Sequence, residues 1–194
     1  AKQGNAFSQG HLGFMYDHGY GFTEDNQKAF EWYTLASDQG NAQAQRNLGM
    51  MYRKGDGIVQ DYDRAIQLFV LAAQKGHASA QYILGVMYYN GEGVHQDYKE
   101  AAKWFHLSAK QGHVKAQYNL GLLYHNGEGI IQDYKQAIKW YIAAAKQGHD
   151  IAQYSLGQLY RKGEGVIQDY KEAAKWYMLS AKHKFKRFVF INFF

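Results

Sequence analysis

His77-Ala-Ser-Ala-Gln-Tyr-Ile-Leu-Gly-Val-Met-Tyr-Tyr-Asn90, Gly91-Glu-Gly-Val-His-Gln96, then Asp97-Tyr-Lys-Glu-Ala-Ala-Lys-Trp-Phe-His-Leu-Ser-Ala-Lys-Gln111 and Gly112 form one 36-residue unit. Its first segment places Ala80, Leu84 and Tyr88 at i, i+4 and i+8, one face of a helix. Gly91 and Gly93 then break that helix and permit the positive φ angles of a tight turn. Asp97 opens a second helix as N-cap, with Glu100 placed for a capping box. Ala101, Trp104, Phe105, Ser108 and Ala109 make its apolar stripe, and Gly112 ends it. The small residues Gly85 and Ala101 predict a close approach of the two helix backbones, with Trp104 and Tyr88 filling the space beside them.

The unit recurs. Leu-Gly stands at Leu12-Gly13, Leu48-Gly49, Leu84-Gly85, Leu120-Gly121 and Leu156-Gly157, each step being 36 residues. Gln9, Gln45, Gln81, Gln117 and Gln153 keep the same step, as do Ala29, Ala65, Ala101, Ala137 and Ala173. A fixed period of this size marks a stack of supersecondary units. One hairpin cannot bury both its stripes, so neighbours share the core. The expected fold is all-α, a solenoid of five helix–turn–helix repeats at 5–40, 41–76, 77–112, 113–148 and 149–184. Residues 1–4 match the last four positions of a unit and read as the end of a preceding repeat; residues 185–194 leave the pattern as a Phe-rich tail. Because Lys184 stands where Gly is expected, the last helix should run on past Lys182, and the tail should cap the stack or support self-association. Trp32, Trp104, Trp140 and Trp176 share one position, with Leu68 in the second copy, and are expected in the core.

Composition narrows the chemistry. The 194 residues contain no Cys, which excludes disulfides, thiolate nucleophiles and Cys-based zinc sites. There is no Pro either, so Gly must end the helices. No apolar run is long enough to span a membrane. His77, His113 and His149 open successive units; neighbouring units stand too far apart for these residues to share a metal, and Asn5 and Asn41 hold the same place, so a helix-start role is expected. The Gly-x-Gly loops carry an acid where a phosphate would sit, as in Gly91-Glu92-Gly93. The serines fall at positions that hold Ala elsewhere or vary between copies, and no nucleophile elbow exists. No catalytic residue, metal or cofactor is expected, and enzymatic activity ranks last among the functions considered.

The pattern Ala-Gln-x-x-Leu-Gly-x-x-Tyr, Gly-x-Gly, Asp-Tyr-x-x-Ala-x-x-Trp and a closing Gly resembles the Sel-one-like repeat family, a relative of the tetratricopeptide repeats, over residues 1 to about 183. The resemblance implies a right-handed α/α superhelix and adaptor or scaffold roles, including host interaction and secretion-related tasks in bacteria. It also implies that the first helix of each unit lines the concave side. A cysteine-rich bacterial branch has a disulfide in each repeat; this chain departs from it, and the β-lactam-related activity proposed there is not carried over.

Positions that vary between copies are free to recognise a partner. In the first helix these are the third (Phe7, Gln43, Ser79, Lys115, Ile151), sixth (Gly10, Arg46, Tyr82, Tyr118, Tyr154), tenth (Phe14, Met50, Val86, Leu122, Gln158) and thirteenth (Asp17, Arg53, Tyr89, His125, Arg161). Their spacing puts them on one stripe. Tyr and Arg are enriched at binding hot spots. The candidate partner-binding residues are therefore Arg46, Arg53, Tyr82, Tyr89, Tyr118, His125, Tyr154 and Arg161, facing a protein or peptide ligand; the other reading is that the tyrosines only pack between neighbouring first helices. The second helices carry a lysine ladder, Lys99, Lys103, Lys110, Lys135, Lys139, Lys146, Lys171, Lys175 and Lys182. It reads as a solvated outer surface or as a track for nucleic acid or an anionic surface. With a net charge of only +5 and with Glu100 and Glu172 interspersed, the solvated surface is the expectation.

Overall fold

The computed structural model describes residues 4–191, with side chains up to Lys182. Among the described residues there are ten helices and no strand: α1 Ala6–His18, α2 Asn26–Asp38, α3 Ala42–Lys54, α4 Tyr62–Gln74, α5 Ala78–Asn90, α6 Tyr98–Lys110, α7 Val114–Asn126, α8 Tyr134–Lys146, α9 Asp150–Lys162 and α10 Tyr170–Ile191. The all-helical architecture of five two-helix repeats is that of the helical solenoids. The chain divides into two compact units, Ala1–Gln96 and Asp97–Phe194. In the first, α1 pairs with α2 and α3 with α4, while α2 packs on α3 and α4 on α5. In the second, α7 pairs with α8 and α9 with α10, while α6 packs on α7 and α8 on α9.

Caps set the helix bounds. Asn5, Asn41, His77, His113 and His149 start the first helices, and each side chain accepts backbone N–H groups of the first turn. In the imidazole caps Nδ1 is the acceptor, at 3.3 Å from Ala80 N, 3.3 Å from Ala116 N and 3.2 Å from Ala152 N. The helix-start role read from the sequence is the one these histidines fill. The second helices open on Asp25, Asp61, Asp97, Asp133 and Asp169. The Glu100 carboxylate pairs with Lys103 at 2.6 Å, a use the capping-box reading did not foresee. Gly91 ends α5 at φ +71°, its N–H bonded to the Met87 carbonyl. At Lys184 the stop signal is missing and α10 continues for 22 residues, against 13 for α8. Residues 1–3, most of the proposed stump of a preceding repeat, lie outside the described residues, and so do the tail side chains on which the cap and self-association readings depend.

The core corrects two expectations. Gly121 does face its partner helix closely, but what stands over it is an aromatic ring. A Cβ there would lie 2.7 Å from Tyr141 Cδ1, and the equivalent atom on Gly49 would lie 2.8 Å from Phe69 Cε1. The ring that fills the hairpin is thus the residue after the Trp position. Tyr33, Phe69, Phe105 and Tyr141 are at most 1% exposed, whereas Trp32, Trp104, Trp140 and Trp176 are only partly buried. One residue along a helix rotates a side chain by about 100°, enough to move the core position from Trp140 to Tyr141. Trp140 instead meets His106 edge-on at 5.9 Å.

The repeated glutamine has a structural role. Gln45, Gln81, Gln117 and Gln153 are buried, and each Nε2 donates to a carbonyl near the end of the preceding second helix: Ser37 O, Ala73 O, Ala109 O and Ala145 O, at 3.0 to 3.3 Å. These carbonyls belong to the last turn, where intrahelical partners run out. Replacing Gln117 by Leu removes this bond and the one its Oε1 accepts from Gln147 Nε2 at 2.9 Å, while Ala109 O keeps the Gly112 N–H at 3.0 Å, so the change should cost about 1 kcal/mol, the net worth of a hydrogen bond. An unchanged urea midpoint would show that these glutamine bonds carry no net stability.

Candidate functional site

In the first unit, the faces of α1 and α3 enclose a hollow of about 460 Å³ lined by Phe14, Asp17, His18, Gln43, Arg46 and Asn47, among others. The helical spacing that grouped the variable positions brings these residues together. Tyr33, buried beneath, donates its hydroxyl to Asp17 Oδ2 at 3.2 Å; burial, with the Asp17 charge beside it, raises the phenol's pKa well above its ordinary value. Arg46 donates from Nη1 to Asn47 Oδ1 at 3.0 Å, and Gln43 donates to the same oxygen at 3.0 Å. The Arg46 Nε is buried and has no hydrogen-bond partner among the described residues. Burial depresses the guanidinium pKa. Gln43 Oε1 lies 2.9 Å from His77 Nε2, the proton-bearing nitrogen of that cap.

The other predicted residues divide by what their neighbours leave free. Arg53 is committed: Nε and Nη2 grip the Glu92 carboxylate at 2.8 and 2.5 Å, tying α3 to the turn after α5. That bidentate pair raises the Arg53 pKa, against burial, which lowers it. Tyr82 is half-buried, and desolvation raises its hydroxyl pKa; Tyr89 is partly buried as well. In the second unit, Tyr118 stacks on the His149 cap at 4.7 Å and leans on Tyr141 at 5.7 Å. His125 packs edge-on against Tyr134 at 5.4 Å. Tyr118 therefore follows the packing reading in part, while His125 packs within its own hairpin. Tyr154 is 50% exposed, with its ring 5.5 Å from that of Tyr177 and its hydroxyl accepting from Gln158 Nε2 at 2.7 Å. Arg161 completes that exposed chain by donating to Gln158 Oε1 at 3.2 and 2.9 Å. Sequence reasoning did not single out Asp17, Asn47 or Gly10, although two of them stand at positions it flagged as variable.

The nine ladder lysines are all exposed. Lys103 and Lys175 are paired with Glu100 and Glu172 at 2.6 Å, and Lys139 lies 5.7 Å from the centre of the Trp140 ring. Among the described residues no three His, Asp or Glu side chains come together as a metal site, and no helix is long and apolar enough to cross a membrane.

The imidazole caps give the fold a pH dependence. Burial, aided by the Arg46 cation, lowers the His77 pKa; burial, aided by Lys115, lowers that of His149 although Asp150 opposes it. The folded state therefore binds fewer protons than the unfolded chain, whose histidines titrate near 6.5. The stabilisation is full above that pH and is lost as pH falls through the depressed folded values. Asn caps the first two repeats without titrating, so His77→Asn with His149→Asn should shrink the fall in urea midpoint between pH 7.5 and 5.5. His106, also lowered by burial, stays in that variant. An equal fall in both proteins would refute the cap assignment.

The Sel1 repeat family model matches residues 6–41, 42–77, 78–113, 114–149 and 150–184. No curated protein matches the chain. Among solved structures, c5321, a protective antigen of uropathogenic Escherichia coli strains with an SLR fold, is 40% identical with a TM-score of 0.91 over 94% of this chain. This chain spans only 39% of the length of c5321. A Sel1 repeat protein from Oxalobacter formigenes is 36% identical with a TM-score of 0.85, covering 92% of this chain and 71% of its own. The Helicobacter pylori cysteine-rich protein B, 22% identical with a TM-score of 0.53 over 66% of this chain and 92% of its own, shares the fold alone.

Proposed function

The chain belongs to the Sel1 repeat family, whose members are generally protein–protein interaction scaffolds, and on that premise we propose that it is an adaptor holding a partner protein or peptide against the first-helix faces of its repeats. The observation that carries this reading is Arg46. A partly buried cation without a carboxylate partner among the described residues, set in a hollow of about 460 Å³, is expensive for a protein to keep unless something else completes it. Arg53, by contrast, has its acid built in. On α9 the exposed Tyr154, Gln158 and Arg161 offer an aromatic surface joined to hydrogen-bonding groups, the combination that dominates protein interfaces. Within their own units Tyr82 and Tyr89, and Tyr118 and His125, are partly buried and contribute less free surface.

The test is retention of a partner captured by residues 1–194. The Arg46→Ala/Tyr154→Ala/Arg161→Ala variant should retain it at least tenfold less well while keeping its helicity, since hot-spot truncations cost about 2 kcal/mol or more each. Equal retention by both proteins would defeat the reading.

A further inference from the structure

Between α6 and α7 the second unit holds a hollow of about 470 Å³, with an apolar floor of Ala102, Leu107, Leu120, Tyr124 and Ile130. Ala102 makes the room. The same position holds Phe30, Ile66 and Ile138 in three other repeats. Phe30 meets Tyr52 edge-on at 5.8 Å, whereas Ala102 offers Tyr124, the equivalent tyrosine, no ring. Ile138 packs into the core at 8% exposure, so the repeat accommodates a larger side chain at this place. Leu107 is 45% exposed, which leaves the hollow open to solvent along α6.

The rim is cationic. Lys99, Lys103 and His106 belong to it, and no carboxylate is among the described residues that line the hollow. Lys110 and Lys139 stand near His106, whose pKa is lowered by burial first and by these two cations next. The nearby acids are committed. Asp97 caps α6, Asp133 caps α8, Glu100 holds Lys103 at 2.6 Å and Glu128 accepts from Asn126 at 3.2 Å. That leaves the exposed Lys99, Lys110 and Lys139 for an incoming anion.

The shape decides between kinds of anion. A small amphiphile would stay largely exposed in an open hollow, whereas small-ligand sites bury most of their occupant. Its single headgroup would also meet only one end, because Lys99 and Lys110 stand about 16 Å apart along the helix. Nucleic acid would match the lysines but not an apolar floor. An amphipathic helix brings apolar side chains at i, i+3 and i+4 with carboxylates on both flanks. We infer that the α6–α7 hollow docks an acidic amphipathic helix of a partner protein, with its apolar face over Ala102 and its carboxylates toward Lys99, Lys110 and Lys139. Leu120 lies two residues beyond Tyr118, about 200° round α7, so this surface is distinct from the first-helix stripe.

The full chain, 15N-labelled, can be titrated with an acetylated and amidated peptide in which Leu-Glu-Glu-Leu-Leu-Glu-Ala is repeated twice. Two comparison peptides carry Lys for every Glu, or Ala for every Leu. The first peptide should shift the Ala102, Leu107 and Tyr124 amides with a micromolar Kd, and the others should bind at least tenfold more weakly. Ala102→Ile, which installs the residue of the second and fourth repeats, should lose at least tenfold without lowering thermal stability. Lys99→Glu with Lys139→Glu should lose as much by charge, an independent route should the first variant fold poorly. Lys171→Glu with Lys182→Glu, the same charge change on α10, should bind as the parent does. Equal binding of either comparison peptide, full affinity in folded Ala102→Ile, or an equal loss in the α10 variant overturns the inference. Tighter binding of decanoate or of an oligothymidylate at the same amides also overturns it and assigns the hollow to a lipid or to nucleic acid. If no probe binds, the inference falls alone, because the first-helix reading is tested separately by partner retention in the Arg46/Tyr154/Arg161 variant.

Discussion

Tyr141→Ala should destabilise the protein by about 3–5 kcal/mol, the range for large aromatic truncations in a core. Tyr141 is 1% exposed and sits among Ala137, Ile138, Ala144, Ala145, Ala152, Leu156 and Leu159. Its ring lies directly over Gly121 in the α7–α8 hairpin, so the cavity left behind cannot close without moving backbone. Trp140→Ala, one residue earlier, should cost distinctly less, because Trp140 is only partly buried and loses less apolar area. Urea denaturation of the two variants decides the order. A larger loss for Trp140→Ala would return the core face to the Trp position and would undo the packing described for every repeat.

Gly121→Val should come next, at about 3 kcal/mol, the upper end of the overpacking range. Its Cβ would stand 2.7 Å from the Tyr141 ring and 3.3 Å from the Ala137 carbonyl, and backbone cannot yield as a flexible side chain can. The clash has a signature that simple loss of stability lacks. In Tyr141→Ala the ring is gone, so adding Gly121→Val to that variant should cost far less than adding it to the parent. The coupling energy of this double-mutant cycle should lie at about 1–3 kcal/mol. Strict additivity would mean that Gly121 is required for some reason other than Tyr141.

Much of this was legible because the sequence reads itself five times. Asn in two repeats and His in three at the same helix start identify a cap. Gly at each turn and Asp before each second helix do the same for the remaining ends. The tryptophan was misplaced because Trp104 and Phe105, or Trp140 and Tyr141, are adjacent large aromatics, and the apolar stripe is wide enough to admit either. What separates them is the ring's position over Gly121, a contact 20 residues away. The glutamine ladder repeats without exception, yet its reason appears only when the preceding helix end is in place. The site was legible as a stripe but not as a surface. Nothing local to Arg53 says that Glu92 will occupy it, and nothing local to Tyr118 says that His149 will cover it. Arg46 has no carboxylate hydrogen-bonded to it, and its Nη1 donates to Asn47 instead.

The central claim is that partners are held by first helices. The direct measurement is hydrogen–deuterium exchange of residues 1–194 with and without a captured partner, followed by cross-linking to locate the contacts. The account predicts protection and cross-links on α1, α3 and α9, centred on Arg46, Tyr154 and Arg161, with binding that weakens only mildly as salt rises. Cross-links confined to Lys103, Lys139 and Lys175 on the second helices, with a steep loss of binding in salt, would contradict it and assign the function to the lysine ladder.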